Sequence, residues 1–169
     1  MKTYKIGILG AAGYVGGECL RLLTNHSATE IAWVTSKRFS GQLVSIPHPD
    51  MDGLTDLQFV GKPDVDVDII FSCLPHGEFK KMLPSLKIDD HTKIIDLSQD
   101  HRMMDGTNGF LYGLPELNRS KIAVANRIAN PGCFATAIEL GLLPLAHCKK
   151  LPMDIQITAI TGSTGAGVG

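Results

Sequence analysis

The chain has 169 residues, 44% apolar and 20% charged, with a formal net charge of −1. That length suits one ordinary domain with a sizeable core. Acids and bases are interspersed, leaving no basic footprint for nucleic acid and no polybasic patch for a membrane.

Lys5 to Gly10 predicts a short apolar strand that ends in glycine, and Tyr14 to Leu23 predicts a helix stopped by Asn25 and His26. The apolar run from Ile6 to Val15 is broken by glycines, too short for a membrane span and without a signal-peptide cleavage pattern. Between strand and helix lies Gly10-Ala11-Ala12-Gly13-Tyr14-Val15-Gly16. Its G-x-x-G-x-x-G spacing differs from the strictest dinucleotide fingerprint, but the physics is similar: a tight turn, close backbone approach and a pyrophosphate on a helix N-terminus. Glycines in a row also make plain turns; the strand-then-helix context favours a cofactor site. Gly10, Ala12, Gly13, Tyr14, Val15 and Gly16 are therefore expected to bind a dinucleotide.

Glu30 to Val34 predicts a second strand, and its end reads Thr35-Ser36-Lys37-Arg38 without an acid. A site for NAD usually offers a carboxylate to the ribose hydroxyls about 20 residues past the glycines. Ser36, Lys37 and Arg38 instead suit a 2′-phosphate, which predicts NADP(H) over NAD(H). The competing reading is a solvated basic turn. The irregular stretch from Phe39 to Gly61, with Gly41, Pro47, Pro49 and Gly53, is long enough to be functional.

Asp68 to Leu74 predicts a third strand, nearly all apolar, as strands buried on both faces are. Cys73-Leu74-Pro75-His76-Gly77 follows at its carboxyl end, where ligands of open α/β sheets bind. Pro75 and His76 are thus expected to line the nicotinamide half of the cleft, although His76 also suits a helix cap or a plain surface position. The remaining histidines, His26, His48, His91, His101 and His147, show no partner spacing that singles them out. Further along, Glu78 to Leu86 predicts a helix, Lys93 to Leu97 a buried strand, Ile122 to Ala125 another strand, and Asp154 to Ile160 a last one. No internal repeat or low-complexity tract interrupts the series. The β-α-β order predicts a Rossmann-like, doubly wound, mostly parallel sheet.

Asn130-Pro131-Gly132-Cys133 precedes an apolar run with helical spacing at Phe134, Ile138, Leu142 and Leu145. Unpaired N–H groups at a helix start carry about half a positive charge and favour a thiolate there. Cys133 is accordingly the candidate nucleophile, against the reading of a small hydrophobe plugging a helix end. The four cysteines, Cys19, Cys73, Cys133 and Cys148, have no CxxC pair and no metal spacing, which points to reduced thiols in a cytoplasmic protein without a metal. After Leu151-Pro152 a new strand leads into the glycine-rich stretch Thr161 to Gly169. This predicts a dinucleotide domain over 1–150 and the start of a truncated second domain over 151–169; the alternative is a last strand that joins the same sheet. Thr164 and Gly165 either touch the cofactor or belong to a linker.

The glycine turn, Leu74-Pro75-His76-Gly77, Tyr112-Gly113-Leu114-Pro115-Glu116-Leu117 and Asn130-Pro131-Gly132-Cys133 together resemble the N-acetyl-γ-glutamyl-phosphate reductases of arginine biosynthesis. Asp96-Leu97-Ser98-Gln99-Asp100-His101-Arg102 resembles that family's Asp-Leu-Ser-x-Asp-Phe-Arg segment, with His101 where an aromatic is usual. The likeness runs through essentially the whole chain. It implies NADPH-dependent reduction of a small-molecule acyl phosphate to a semialdehyde through a Cys133 thioester, with release of phosphate. A homo-oligomeric full-length enzyme is expected. The family's acid/base histidine lies in a second domain, beyond Gly169, so the 169-residue piece is expected to lack turnover. The basic residue that commonly follows the Ser-Gly-Ala-Gly-like loop is replaced here by Val168. Two alternatives stay open: the lysine-pathway relative that reduces a carrier-linked aminoadipyl phosphate, and a non-catalytic dinucleotide-binding module.

Overall fold

The computed structural model describes residues 2–103 and 109–166. Its centre is a seven-stranded sheet, every pairing of which is parallel. The strands are β1 (Tyr4–Leu9), β2 (Thr29–Thr35), β3 (Phe59–Val60), β4 (Ile69–Ser72), β5 (Lys93–Asp96), β6 (Leu111–Tyr112) and β7 (Arg127–Ala129), in the spatial order β3-β2-β1-β4-β5-β7-β6. The chain moves outward from β1 to β3, then returns to place β4 on the other side of β1. This reversal between β1 and β4 is the crevice in which doubly wound sheets bind ligands.

The helices are α1 (Tyr14–Thr24), α2 (Glu78–Met82), α3 (Pro115–Val124), α4 (Cys133–His147) and α5 (Ser163–Ala166). Alternation along the strands divides the core into two layers. Ile6, Ile8 and Val34 face Leu20 of α1, together with Val44, Met51 and Phe59. Leu9, Trp33, Ile70 and Ile94 face the other way, onto Phe79 of α2 and Val67. A strand whose two faces are both covered reads as a continuous apolar run, and β4 does. The stretch from Phe39 to Gly61 contributes Val44, Met51 and Phe59 to the α1 side of the core. It carries a short 3-10 helix, Pro49–Met51, and ends in β3, a strand that its irregular sequence conceals.

Three expected elements fall elsewhere. The strand predicted over Ile122 to Ala125 is the end of α3, and the ladder partner of β5 is Arg127–Ala129. Pro115 starts α3 with its φ already set, the helix kinks at Asn118 (φ −123°), and β-branched Ile122 and Val124 fall in the helical turn after the kink. The helix predicted over Glu78 to Leu86 divides into α2 and a 3-10 turn, Leu83–Ser85, because Pro84 supplies no N–H to continue it. Asp154 to Ile160 forms no strand: residues 151–165 are all exposed, and no described strand lies beside them. Thr164 and Gly165, read as loop, sit in the single helical turn α5; Gly167, Val168 and Gly169 lie outside the described residues.

Candidate active site at the carboxyl ends of the strands

The glycine turn leaves β1 at the crevice. Gly10 has φ +74°, and a Cβ there would stand 2.9 Å from the carbonyl oxygen of Cys73, so the turn requires glycine at this position. At Gly16 a Cβ would come within 2.5 Å of the Ala11 Cα, so helix and turn touch backbone to backbone. Gly13 is the N-cap of α1 and makes no side-chain cap, which leaves the first-turn N–H groups open to an anion. Ala12 is half-buried, while Tyr14 and Val15 flank the helix mouth and are exposed. The end of β2 braces the turn: the Gly10 N–H donates to Thr35 Oγ1 at 3.1 Å and the Ala11 N–H to the Thr35 carbonyl at 3.0 Å. Immediately after it, the Ser36 hydroxyl caps the Phe39 N–H at 3.3 Å. Lys37 and Arg38 are exposed and have no anionic partner among the described residues; the Arg38 guanidinium lies over the Phe39 ring. Such a cradle, closed to a Cβ at Gly10 and Gly16 and braced by the strand end that Lys37 and Arg38 follow, fits a dinucleotide.

The turn after β4 completes the crevice. Pro75 and His76 are exposed, and His76 Nδ1 accepts the Gln99 N–H at 3.1 Å, so its Nε2 carries the proton. Asp100 receives the N–H groups of Gly77 at 2.6 Å and Lys80 at 3.1 Å. Burial raises its pKa, but these two backbone donors and the nearby His101 outweigh that and hold it below the ordinary carboxylate value. Asp96, at the end of β5, is fully buried and receives His101 Nδ1 at 2.7 Å, the Ser98 hydroxyl at 2.9 Å and the Ser98 N–H at 3.0 Å. His101 stacks on Phe110 with centroids 4.0 Å apart.

Residues 96–102 also reach the third turn, Asn130 to Cys133. The Asn130 N–H donates to the Asp96 carbonyl at 2.8 Å. Arg102 donates from Nε to the Asn130 carbonyl at 2.9 Å and from Nη2 to the Leu97 carbonyl at 2.8 Å. Its Nη1 lies 2.9 Å from where a Gly132 Cβ would stand, and it has no hydrogen-bond partner among the described residues. Cys133 is the first residue of α4, exposed, behind an N-cap glycine with no side-chain cap. Cys73 lies 3.7 Å from Cys19; the hydrogen bond it donates there, then burial, drive its own pKa upward and keep it a thiol. Of the cysteines, Cys133 is therefore the one at an open helix start.

The glycine turn, the β2 end, His76 and Cys133, singled out from the sequence, lie after the carboxyl ends of β1, β2, β4 and β7 respectively. Sequence spacing passed over His48 and His101, both buried, and left Asp96, Asp100 and Arg102 without roles. The Asp-Leu-Ser-x-Asp pattern held a signal for two of them, since acids and a hydroxyl at close spacing cap local N–H groups. Thr164 and Gly165 are exposed in α5, and no described contact joins them to the crevice. Among the described residues no group of His, Cys, Asp or Glu is arranged to hold a metal, and no helix is long and apolar enough to cross a membrane.

The family model for "Semialdehyde dehydrogenase, NAD binding domain" matches residues 5–125. The N-acetyl-gamma-glutamyl-phosphate reductase of Bacteroides thetaiotaomicron is 48% identical over 165 residues, 97% of this chain and 51% of that protein. Its counterpart in Flavobacterium johnsoniae is 44% identical over 167 residues, 96% of this chain and 51% of that protein. The chain spans about half the length of the curated relatives it matches. Among solved structures, aspartate semialdehyde dehydrogenase II of Vibrio cholerae shares the fold with a TM-score of 0.69 at 20% identity, over 86% of this chain and 47% of that one. The Candida albicans enzyme, solved with NADP, gives 0.66 at 18% identity over 89% and 48%. With a dinucleotide cradle at the strand reversal and a family match over most of its length, this chain belongs to the semialdehyde dehydrogenase NAD-binding-domain family.

Proposed function

We propose that this chain is the cofactor- and nucleophile-bearing part of an NADPH-dependent N-acetyl-γ-glutamyl-phosphate reductase, with a dinucleotide domain over 1–150 and the opening of a substrate domain over 151–169. The observation that carries this is the exposed Cys133 thiol at the uncapped start of α4, with the Arg102 guanidinium packed on Gly132 beside it. Cys133, as thiolate, attacks the acyl phosphate carbonyl; the C–O bond to phosphate breaks and its electron pair leaves with the phosphate, giving a thioester. Arg102 Nη1 is the cation available to the departing phosphate. The open N–H groups of the first turn of α4 are the donors available to the developing oxyanion, an interaction worth about 3–4 kcal/mol. The glycine turn would hold NADPH, which when bound would supply the hydride for reduction of the thioester. The hemithioacetal, as the oxyanion that hydride addition would leave, re-forms its C=O bond while the C–S electron pair leaves with sulfur, releasing the semialdehyde and returning the Cys133 thiolate. Small-molecule acyl phosphate, a cytoplasmic setting and a homo-oligomeric full-length enzyme belong to the same reading.

Run in reverse, the reaction is followed by absorbance: full-length protein with N-acetylglutamate semialdehyde, phosphate and NADP+ should form reduced cofactor. Cys133→Ser should abolish it, and no turnover by the parent would reject the reading. The 169-residue chain alone should bind cofactor without turnover. In fluorescence titrations it should prefer NADPH to NADH, and exchanging Lys37 and Arg38 for Ala should weaken NADPH by roughly tenfold while leaving NADH nearly unchanged. Equal affinities for the two in the parent chain would overturn the NADPH assignment.

A further inference from the structure

The histidine that sequence spacing left aside, His48, makes a contact on which the glycine turn depends. It lies in the stretch between β2 and β3, 6% exposed, and its Nε2 stands 2.8 Å from the Ala11 carbonyl oxygen. A carbonyl oxygen only accepts, so Nε2 carries the hydrogen. The trans peptide is planar, with its C=O and N–H pointing in opposite directions. Fixing the Ala11 carbonyl toward His48 therefore aims the Ala12 N–H away from it, and this N–H has no partner among the described residues. It belongs to the same open set as the first-turn N–H groups of α1, whose N-cap, Gly13, is the next residue.

The ring is held where it can do this. A Cβ at Gly17 would come within 2.6 Å of His48 Cε1 and 2.8 Å of Nδ1, so α1 is bare at this point to admit the imidazole. One helical turn further, Arg21 grips Asp50 through both Nε and Nη2, fastening the Pro49–Met51 turn to the same face of α1. Met51 is fully buried beneath it. The segment thus presents a single buried donor to the glycine turn, anchored on either side.

We infer that His48 is a positioning residue for the cofactor pyrophosphate: its Nε2–H pins the Ala11 carbonyl so that the Ala12 N–H is fixed facing the phosphates. This rests on the dinucleotide-binding reading of the glycine turn. Orienting the donor before the ligand arrives removes an ordering cost from binding. The effect belongs to the pyrophosphate alone, since the 2′-phosphate is met at the end of β2.

The test is a pair of titrations on the 169-residue chain, with NADPH and with 2′-AMP, which has the 2′-phosphate but no pyrophosphate. His48→Leu should weaken NADPH by about tenfold and leave 2′-AMP within about twofold. His48→Gln, whose amide N–H can reach the same carbonyl, should recover most of the NADPH affinity. Gly17→Ala, which pushes the ring aside, should reproduce the leucine result, and it serves if His48→Leu does not fold. NADPH binding unchanged in both His48→Leu and Gly17→Ala would overturn the inference, as would equal weakening of both ligands, the mark of general loosening. A parent chain that binds neither ligand would instead overturn the cofactor reading.

Discussion

Gly13 and Gly16 are indistinguishable in the G-x-x-G-x-x-G spacing, but their surroundings differ. A Cβ at Gly13 would meet only the Gly10 carbonyl, at 3.8 Å, whereas at Gly16 it would strike the Ala11 backbone at 2.5 Å. Backbone cannot step aside as the end of a side chain can. Gly16→Ala is therefore expected to cost about 1–3 kcal/mol in urea unfolding and to weaken NADPH binding by moving the turn. Gly13→Ala should cost less than about 1 kcal/mol. Comparable losses in the two variants would show that helix and turn are not in contact as described. At this scale the sequence reveals which residue types gather in the glycine turn but not which of them are irreplaceable. That depends on atoms such as the Cys73 carbonyl and the Ala11 Cα, brought close by the fold.

Among the elements, α2 shows how a boundary can be visible while its cause is not. Its N-cap is Gly77 in the left-handed region, with φ 82°, which offers no capping side chain. The cap comes from Asp100, 23 residues away, which accepts the Gly77 and Lys80 N–H groups, the N-cap and N3 donors. Because these bonds hold the folded-state pKa of Asp100 below its ordinary 3.8, the carboxylate adds stability at neutral pH, and that contribution is lost as pH falls through the depressed value. Asp100→Ala should thus lower stability by about 1 kcal/mol at pH 7, a figure reduced for its partial exposure. Thermal melts should show the gap to the parent narrowing below pH 4, and a pH-independent gap would rule out the charged cap. Apolar patterning places α1, β4 and α4 because the signal lies within each element's own residues. It misplaces β7 by a few residues, where the register of Arg127–Ala129 with β5 outweighs the β-branched Ile122 and Val124. It is silent on His48, whose partner Ala11 is brought to it from 37 residues away, and on His101, which turns back onto Asp96 five residues before it.

At the scale of the whole molecule, alternation of strand and helix sufficed for a doubly wound parallel sheet, and the reversal between β1 and β4 locates its crevice. The apolar character of α4 was equally plain, but what it packs against was not. None of its residues is buried: Phe134 is 41% exposed, Leu140 40% and Leu145 44%. Leu151, Met153, Ile155, Ile157 and Ile160 are exposed as well, in a stretch that joins no described strand. Apolar surface on this scale drives association unless something covers it. The 169-residue chain is therefore expected to self-associate at micromolar concentrations in sedimentation velocity, increasingly so with concentration. Replacing Leu140 and Leu145 together by Glu should shift it toward monomer without lowering NADPH affinity, since neither residue belongs to the glycine turn or the β2 end. In the full-length protein the backbone amides of α4 should exchange with deuterium more slowly than in the 169-residue chain, because the proposed substrate domain would cover this helix. A monomeric parent chain with α4 equally protected in both forms would show that the helix needs no cover, and with it the proposed division at residue 150 would lose its physical support.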